Sequence, residues 1–181
     1  MVYMDEQAGK MSEARSLFRK RTVGFLVSLA VIAVVVVILF MPVLQIFGDE
    51  MSPVLTDGSL VLSVKNPKLE DGDIVAFYHN NKILIKRVIA TQGEFVDIDE
   101  DGAVYVNNRQ LEEPYVTEKA EGDCTIDLPL QVPEAEIFVM GDHRSESVDS
   151  RNESIGCISK DKIVGKLVFC IWPLTNFGIV R

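Results

Sequence analysis

Histidine is scarce in this sequence: only 2 among 181 residues, His79 and His143, while cysteine occurs 3 times, at Cys124, Cys157 and Cys170. None of these falls into a C-x-x-C or H-x-x-x-H arrangement, so the spacing predicts no metal, and no motif for another cofactor is present. Positive charge is in deficit as well. Lys and Arg number 18 against 27 Asp and Glu, a net charge of −9. Binding to nucleic acid needs a basic face to meet phosphates, so nucleic acid is excluded as a partner. Internal repeats are absent. A single disulfide would be compatible with an exported domain, but the cysteine count is odd, and Cys170 lies in an apolar run where a buried free thiol is expected.

The sequence contains one long apolar run. From Thr22 to Met41 it reads TVGFLVSLAVIAVVVVILFM, with no charged residue. A helix of that length rises about 1.5 Å per residue and covers a hydrocarbon core of roughly 30 Å. It is too long for a signal-peptide core, and no A-x-A-like site follows in MPVLQIFGDE, so it is expected to be an uncleaved anchor. Arg15, Arg19, Lys20 and Arg21 precede it, and Asp49, Glu50 and Asp57 follow it. The positive-inside rule then places residues 1–21 in the cytoplasm, an anchor at 22–42 in the plasma membrane, and residues 43–181 outside, in a single pass. Membrane lipid is thus one partner.

After Pro42 the pattern changes to short apolar runs separated by turn signals, the appearance of an antiparallel β domain. SLVLSV (59–64), DIVAFY (73–78), KILIKRVIA (82–90), EFVDID (94–99), AVYVNN (103–108), EIFVM (136–140) and KIVGKLVFCIW (162–172) read as strands. Residues 109–135, with Pro114, Pro129 and Pro133, read as a long irregular excursion. The expected class is mainly β: an anchor helix, then an antiparallel β-sheet outer domain with a lobe inserted at about 97–135.

Three stretches stand apart from this background: GDEMSPVL (48–55), LIKRV (84–88) and GDHRSESVDSR (141–151). Each alone has an ordinary structural explanation, as a turn, a snorkelling strand lysine and a polar loop knitted by Asp–Arg pairs. Together and in this order, with the anchor and Gly72-Asp73-Ile74-Val75, they resemble type I signal peptidase, the membrane-bound serine/lysine-dyad family. The resemblance implies the signal-peptidase-type β fold and the cleavage of signal peptides from exported precursor proteins. It implies Lys86 as the general base, Ser147 as the hydroxyl that orients it, and Asp149, Arg144 and Arg151 as supports of the loop. A lysine acts as a base only where burial depresses its pKa, and Leu84, Ile85, Val88 and Ile89 suit that.

The same alignment raises a difficulty at the nucleophile. Against the family's G-x-S-M-x-P-T-L turn, Gly48, Met51, Pro53 and Leu55 fall on their counterparts, Glu50 stands in the serine's place, and Val54 stands in the threonine's. Ser52 is two residues along, and moving it into place would displace Met51 and Pro53, when a shift of about 1 Å can cost on the order of a hundredfold in rate. Glu50 beside Lys86 would hold the lysine protonated. The substrate or oxyanion region comprises Gly48, Met51, Ser52 and Pro53.

Two readings follow. In one, a signal-peptidase-family protein binds signal peptides or exported precursors with cleavage lost or impaired, similar to the signal-peptidase-like pilus-assembly proteins that lack the serine, and with a pilin or secretion-machinery partner. In the other, it is an active signal peptidase, working through Ser52 or carrying Glu50 as an introduced replacement. A third, an anchored β domain with no groove, leaves Lys86, Ser147 and the Asp149/Arg151 loop without a purpose.

Overall fold

The computed structural model describes residues 19–35, 41–65 and 67–180, and the chain divides into two compact units, residues 1–40 and 41–181. In the first unit residues 19–35 are helical (α1). Phe25, Leu26 and Ile32 on it are exposed, and the Ser28 hydroxyl donates back to the Gly24 carbonyl at 2.9 Å. The expected anchor at 22–42 therefore has a helical described part, while residues 36–40 lie outside the described residues. Among the described residues no helix is long and apolar enough to cross a membrane.

The second unit is mainly antiparallel β. Its strands are β1 (Val43–Gln45), β2 (Leu60–Val64), β3 (Ile74–His79), β4 (Lys82–Thr91), β5 (Phe95–Ile98), β6 (Val104–Val106), β7 (Arg109–Gln110), β8 (Leu130–Gln131), β9 (Glu136–Met140), β10 (Ile158–Ser159), β11 (Ile163–Trp172) and β12 (Gly178–Ile179). The larger sheet runs β1-β2-β11-β3-β4-β9-β10, with β12 also on β11; the smaller runs β7-β6-β5-β8. The region read as an irregular excursion thus contributes β7 and β8 to the smaller sheet. Two-residue strands carry no periodicity to read, so only their partners define them.

Alternation of side chains sorts the larger sheet's residues onto two faces. Ile74 and Ala76 of β3 pack with Ile46, Met51, Leu55, Val61 and Leu167, while Val75 and Phe77 pack with Val88, Ile137 and Val139 on the other side. A third cluster, including Ile89, Val96, Val104 and Phe138, draws residues from both sheets.

Two features of β4 set up the site. Its hairpin with β3 closes through Asn80 and Asn81, both at positive φ (45° and 62°), a conformation asparagine tolerates in tight hairpin turns. Its second half pairs with β9 from Arg87↔Met140 onward, but its first half pairs only with β3, which leaves one edge of residues 82–86 open. Meanwhile bulges where β11 meets β2 bend the sheet. The end of β1 and the turn after it therefore face that open edge across a small cavity of about 50 Å³, lined by Gln45, Phe47, Glu50 and Met51 on one side and Ile83 and Ile85 on the other.

Candidate active site

Lys86 lies on the face of β4 opposite Arg87 and is fully buried. A buried ammonium is tolerated only with partners, and it has two. Its Nζ donates to Glu50 Oε2 at 2.8 Å and to Ser147 Oγ at 2.6 Å. Ser147 passes the chain on, its hydroxyl donating to Asp149 Oδ2 at 2.8 Å.

Asp149 is the most heavily bonded carboxylate of the site. It accepts the Gly141 N–H at 2.9 Å, the Ser147 hydroxyl, and both Nε and Nη2 of Arg151 at 2.8 and 2.9 Å. Burial pushes the Asp149 carboxyl up, but the Arg151 hydrogen bonds and charge, the Gly141 N–H and the Lys86 charge outweigh it and hold it below the usual range. Arg151 spends its remaining donors on the carbonyls of Glu121 (2.7 Å), Ala120 (3.2 Å), Arg144 (2.9 Å) and Ser147 (3.3 Å), which pins the loop from inside.

Gly141 makes the close approach possible. A Cβ there would lie 2.3 Å from Ser147 Oγ and 2.6 Å from the Glu50 carbonyl, closer than any side chain permits. The neighbouring His143 N–H donates to that same Glu50 carbonyl at 3.1 Å. The 48–55 turn and the 141–151 loop are thereby joined through backbone, while Met51 and Leu55 (2% and 1% exposed) root the turn in the core. Gly48, at φ +85°, begins the turn and donates its N–H to Asp57 Oδ1 at 2.9 Å.

Ser52 does not join this set. Its hydroxyl lies 3.5 Å from Asp49 Oδ1 and its N–H bonds the Asp49 carbonyl, whereas the Lys86 donors go to Glu50 and Ser147. Pro53 is exposed on the turn. Cys124, Cys157 and Cys170 are free thiols, and Cys170 is buried at 2% exposure.

A second layer backs this set, and of it only Arg144 was expected as a support of the loop. Arg144 donates Nε to the Gly141 carbonyl at 3.0 Å and forms a buried two-point pair with Glu113. Arg87 grips Asp142 at 2.7 and 2.6 Å and lies 3.8 Å over the Tyr115 ring. Burial raises the Asp142 carboxyl despite Arg87. Glu113 and Tyr115 lie about thirty positions from their partners in a stretch without periodicity, and no local signal marks them. Arg87 and Asp142 sat inside the quoted motifs, where a buried Arg beside a strand end called for an acidic mate.

The profile of the signal peptidase, peptidase S26, family matches residues 19–172. The chain belongs to that family. It is 33% identical over 182 residues to signal peptidase IB of Staphylococcus aureus, covering 88% of this chain and 94% of the relative. It is also 33% identical over 187 residues to signal peptidase I of Bacillus licheniformis, covering 92% and 97%. Among solved structures, a signal peptidase I from Enterococcus faecalis aligns at 29% identity with a TM-score of 0.47, over 56% of this chain and 97% of that one. In this signal-peptidase-family chain, the side chain facing Lys86 from the 48–55 turn is a carboxylate.

Proposed function

We propose that this protein binds the signal peptides of exported precursors at the outer face of the plasma membrane, and that its ability to cleave them is lost or impaired. The observation that carries this reading is the contact between buried Lys86 and Glu50. That contact occupies Lys86 Nζ, the atom that would have to take the proton of an attacking hydroxyl. Glu50 in the serine's place removes the nucleophile, and its carboxylate also occupies Lys86 Nζ.

Binding needs neither. The open edge of residues 82–86 offers unpaired backbone to an extended peptide, which would add as a strand. The cavity beside it is small, about 50 Å³, and Phe47, Met51, Ile83 and Ile85 line it together with Gln45 and Glu50, which suits the small residues that precede a signal-peptide cleavage site. The apolar run at 22–41 supplies the anchor in this reading, with β1 starting two residues beyond it.

A working signal peptidase is the second reading. It is favoured by the complete Lys86–Ser147–Asp149–Arg151 chain and by the relatives' names, and it requires Ser52 or another nucleophile to reach the groove.

The binding half is tested by titrating a fluorescent signal peptide against the full chain in nanodiscs, with Ile85→Lys as the comparison. Saturable binding weakened at least about tenfold by the charge in the groove supports it. Equal binding to both proteins would count against the groove.

A further inference from the structure

The face of the sheet behind Lys86 carries a second, larger recess. Residues alternate along β4, so Arg87 points away from the reactive cluster, and it lines a cleft of about 820 Å³. Clefts that hold small ligands run roughly 300–1,000 Å³. The walls are apolar: Ile74, Leu167, Val168, Ile179, Val180 and Pro114 contribute them, with the Tyr115 ring beside Arg87. The recess opens where β3 and β12, both paired to the same side of β11, diverge.

Its charges are unbalanced. Asp73 is paired with Lys166 at 2.6 Å, and Arg87 is bound to Asp142. Asp71 and Glu112 also line the cleft, and neither side chain has an ion-pair or hydrogen-bond partner among the described residues. Burial and the neighbouring carboxylates of Glu94, Asp73 and Glu70 push the Asp71 carboxyl above its ordinary range. A cation placed among these groups would relieve that repulsion.

From the apolar walls and the two unpaired carboxylates, we infer that this cleft is a second peptide site, for a short apolar segment carrying a lysine or arginine. The apolar side chains fill the recess between β11, β12 and the 112–115 segment, and the cation meets the carboxylates that line it, Asp71 and Glu112. A neutral apolar peptide leaves both carboxylates without a partner and binds more weakly. An acidic one is repelled. The site shares no lining residue with the small groove beside Glu50, and it stands independently of the function proposed above.

The test uses the full chain in nanodiscs and the peptide Leu-Leu-Lys-Leu-Leu-amide with one photoreactive leucine, mapped by mass spectrometry after crosslinking. Saturable crosslinks are expected within residues 112–115, 166–168 and 179–180. Replacing the peptide's lysine by norleucine, or making Asp71→Asn with Glu112→Gln, should raise the half-saturating concentration about tenfold at low salt, as two partly exposed pairs would. Neither side chain makes a hydrogen bond or ion pair among the described residues, so the double variant should keep the native fold. Crosslinks confined to residues 83–85, or labelling that follows lipid partition and ignores both substitutions, would overturn the inference. Signal-peptide binding measured in parallel at the groove beside Glu50 reports on the other reading separately.

Discussion

Lys86 and Glu50 are 36 positions apart in the chain and 2.8 Å apart in space, the lysine wholly buried and the glutamate side chain 38% open to solvent. The asymmetry matters for energetics. Glu50 can rehydrate if its partner is lost, whereas Lys86 cannot.

That difference predicts how two substitutions will behave. Lys86→Met removes a buried charge, leaves the part-exposed Glu50 to water and keeps the Ser147–Asp149 bond, so it should cost well under the about 3–5 kcal/mol of leaving a buried charge unpaired. Asp149→Ala strands the buried Arg151 guanidinium and should cost about 3–5 kcal/mol. Urea unfolding of both variants checks the contrast. A large loss for Lys86→Met would mean that the lysine is retained for stability.

Gly141→Ala should disrupt the site at its tightest point. The added methyl would meet Ser147 and the Glu50 carbonyl, neither of which is the free end of a flexible chain. Overpacking of this kind costs about 1–3 kcal/mol, and relief requires the 141–151 loop to move away from the 48–55 turn. Combined with Glu50→Ser, it should abolish whatever cleavage the serine restores. Full activity in the double variant would contradict the close approach.

Acid should weaken the fold through Asp149. Its carboxyl titrates lower in the folded protein than in the unfolded chain, so its contribution is complete above the ordinary aspartate range of about 3.9 and is lost as pH falls through the folded value. The stability gap between the protein and Asp149→Asn should therefore narrow as pH is lowered from about 5 to 2. A gap that stays constant would place the acid sensitivity elsewhere. Asp142, whose carboxyl is raised, acts in the opposite sense and is present in both proteins.

If residues 22–42 anchor the chain with residues 43–181 outside, a membrane-impermeant amine reagent on intact cells should label Lys65 and Lys82 but not Lys10 or Lys20. Labelling of Lys20 without permeabilisation would reverse the orientation.

Much of the β architecture was legible because alternation is strong in long strands. The runs at 59–64, 73–78, 82–90, 136–140 and 162–172 overlie β2, β3, β4, β9 and β11. The short β1, β10 and β12 were not legible, since two or three residues carry no period and their pairing is decided by β2, β9 and β11. At the site, motif order brought Glu50, Lys86, Ser147, Asp149 and Arg151 into one group, and the structure brings the same side chains into contact. Glu113 and Tyr115 remained hidden, because a carboxylate in a loop becomes informative only once Arg144 is seen buried against it.

The most direct test is cleavage of a signal-peptide substrate by the protein as it stands, by Glu50→Ser and by Glu50→Gln, each with and without Lys86→Ala. Serine would supply a hydroxyl and free Lys86 Nζ of the carboxylate that now occupies it, while glutamine would remove the charge alone. Little or no cleavage is expected from the unaltered protein and from Glu50→Gln. Glu50→Ser should cleave at least about a hundredfold faster, the scale of a positioned general base, and lose that cleavage on Lys86→Ala. If the unaltered protein cleaves as fast as Glu50→Ser and Lys86→Ala abolishes both, position 50 is not the nucleophile's place and Ser52 takes that role.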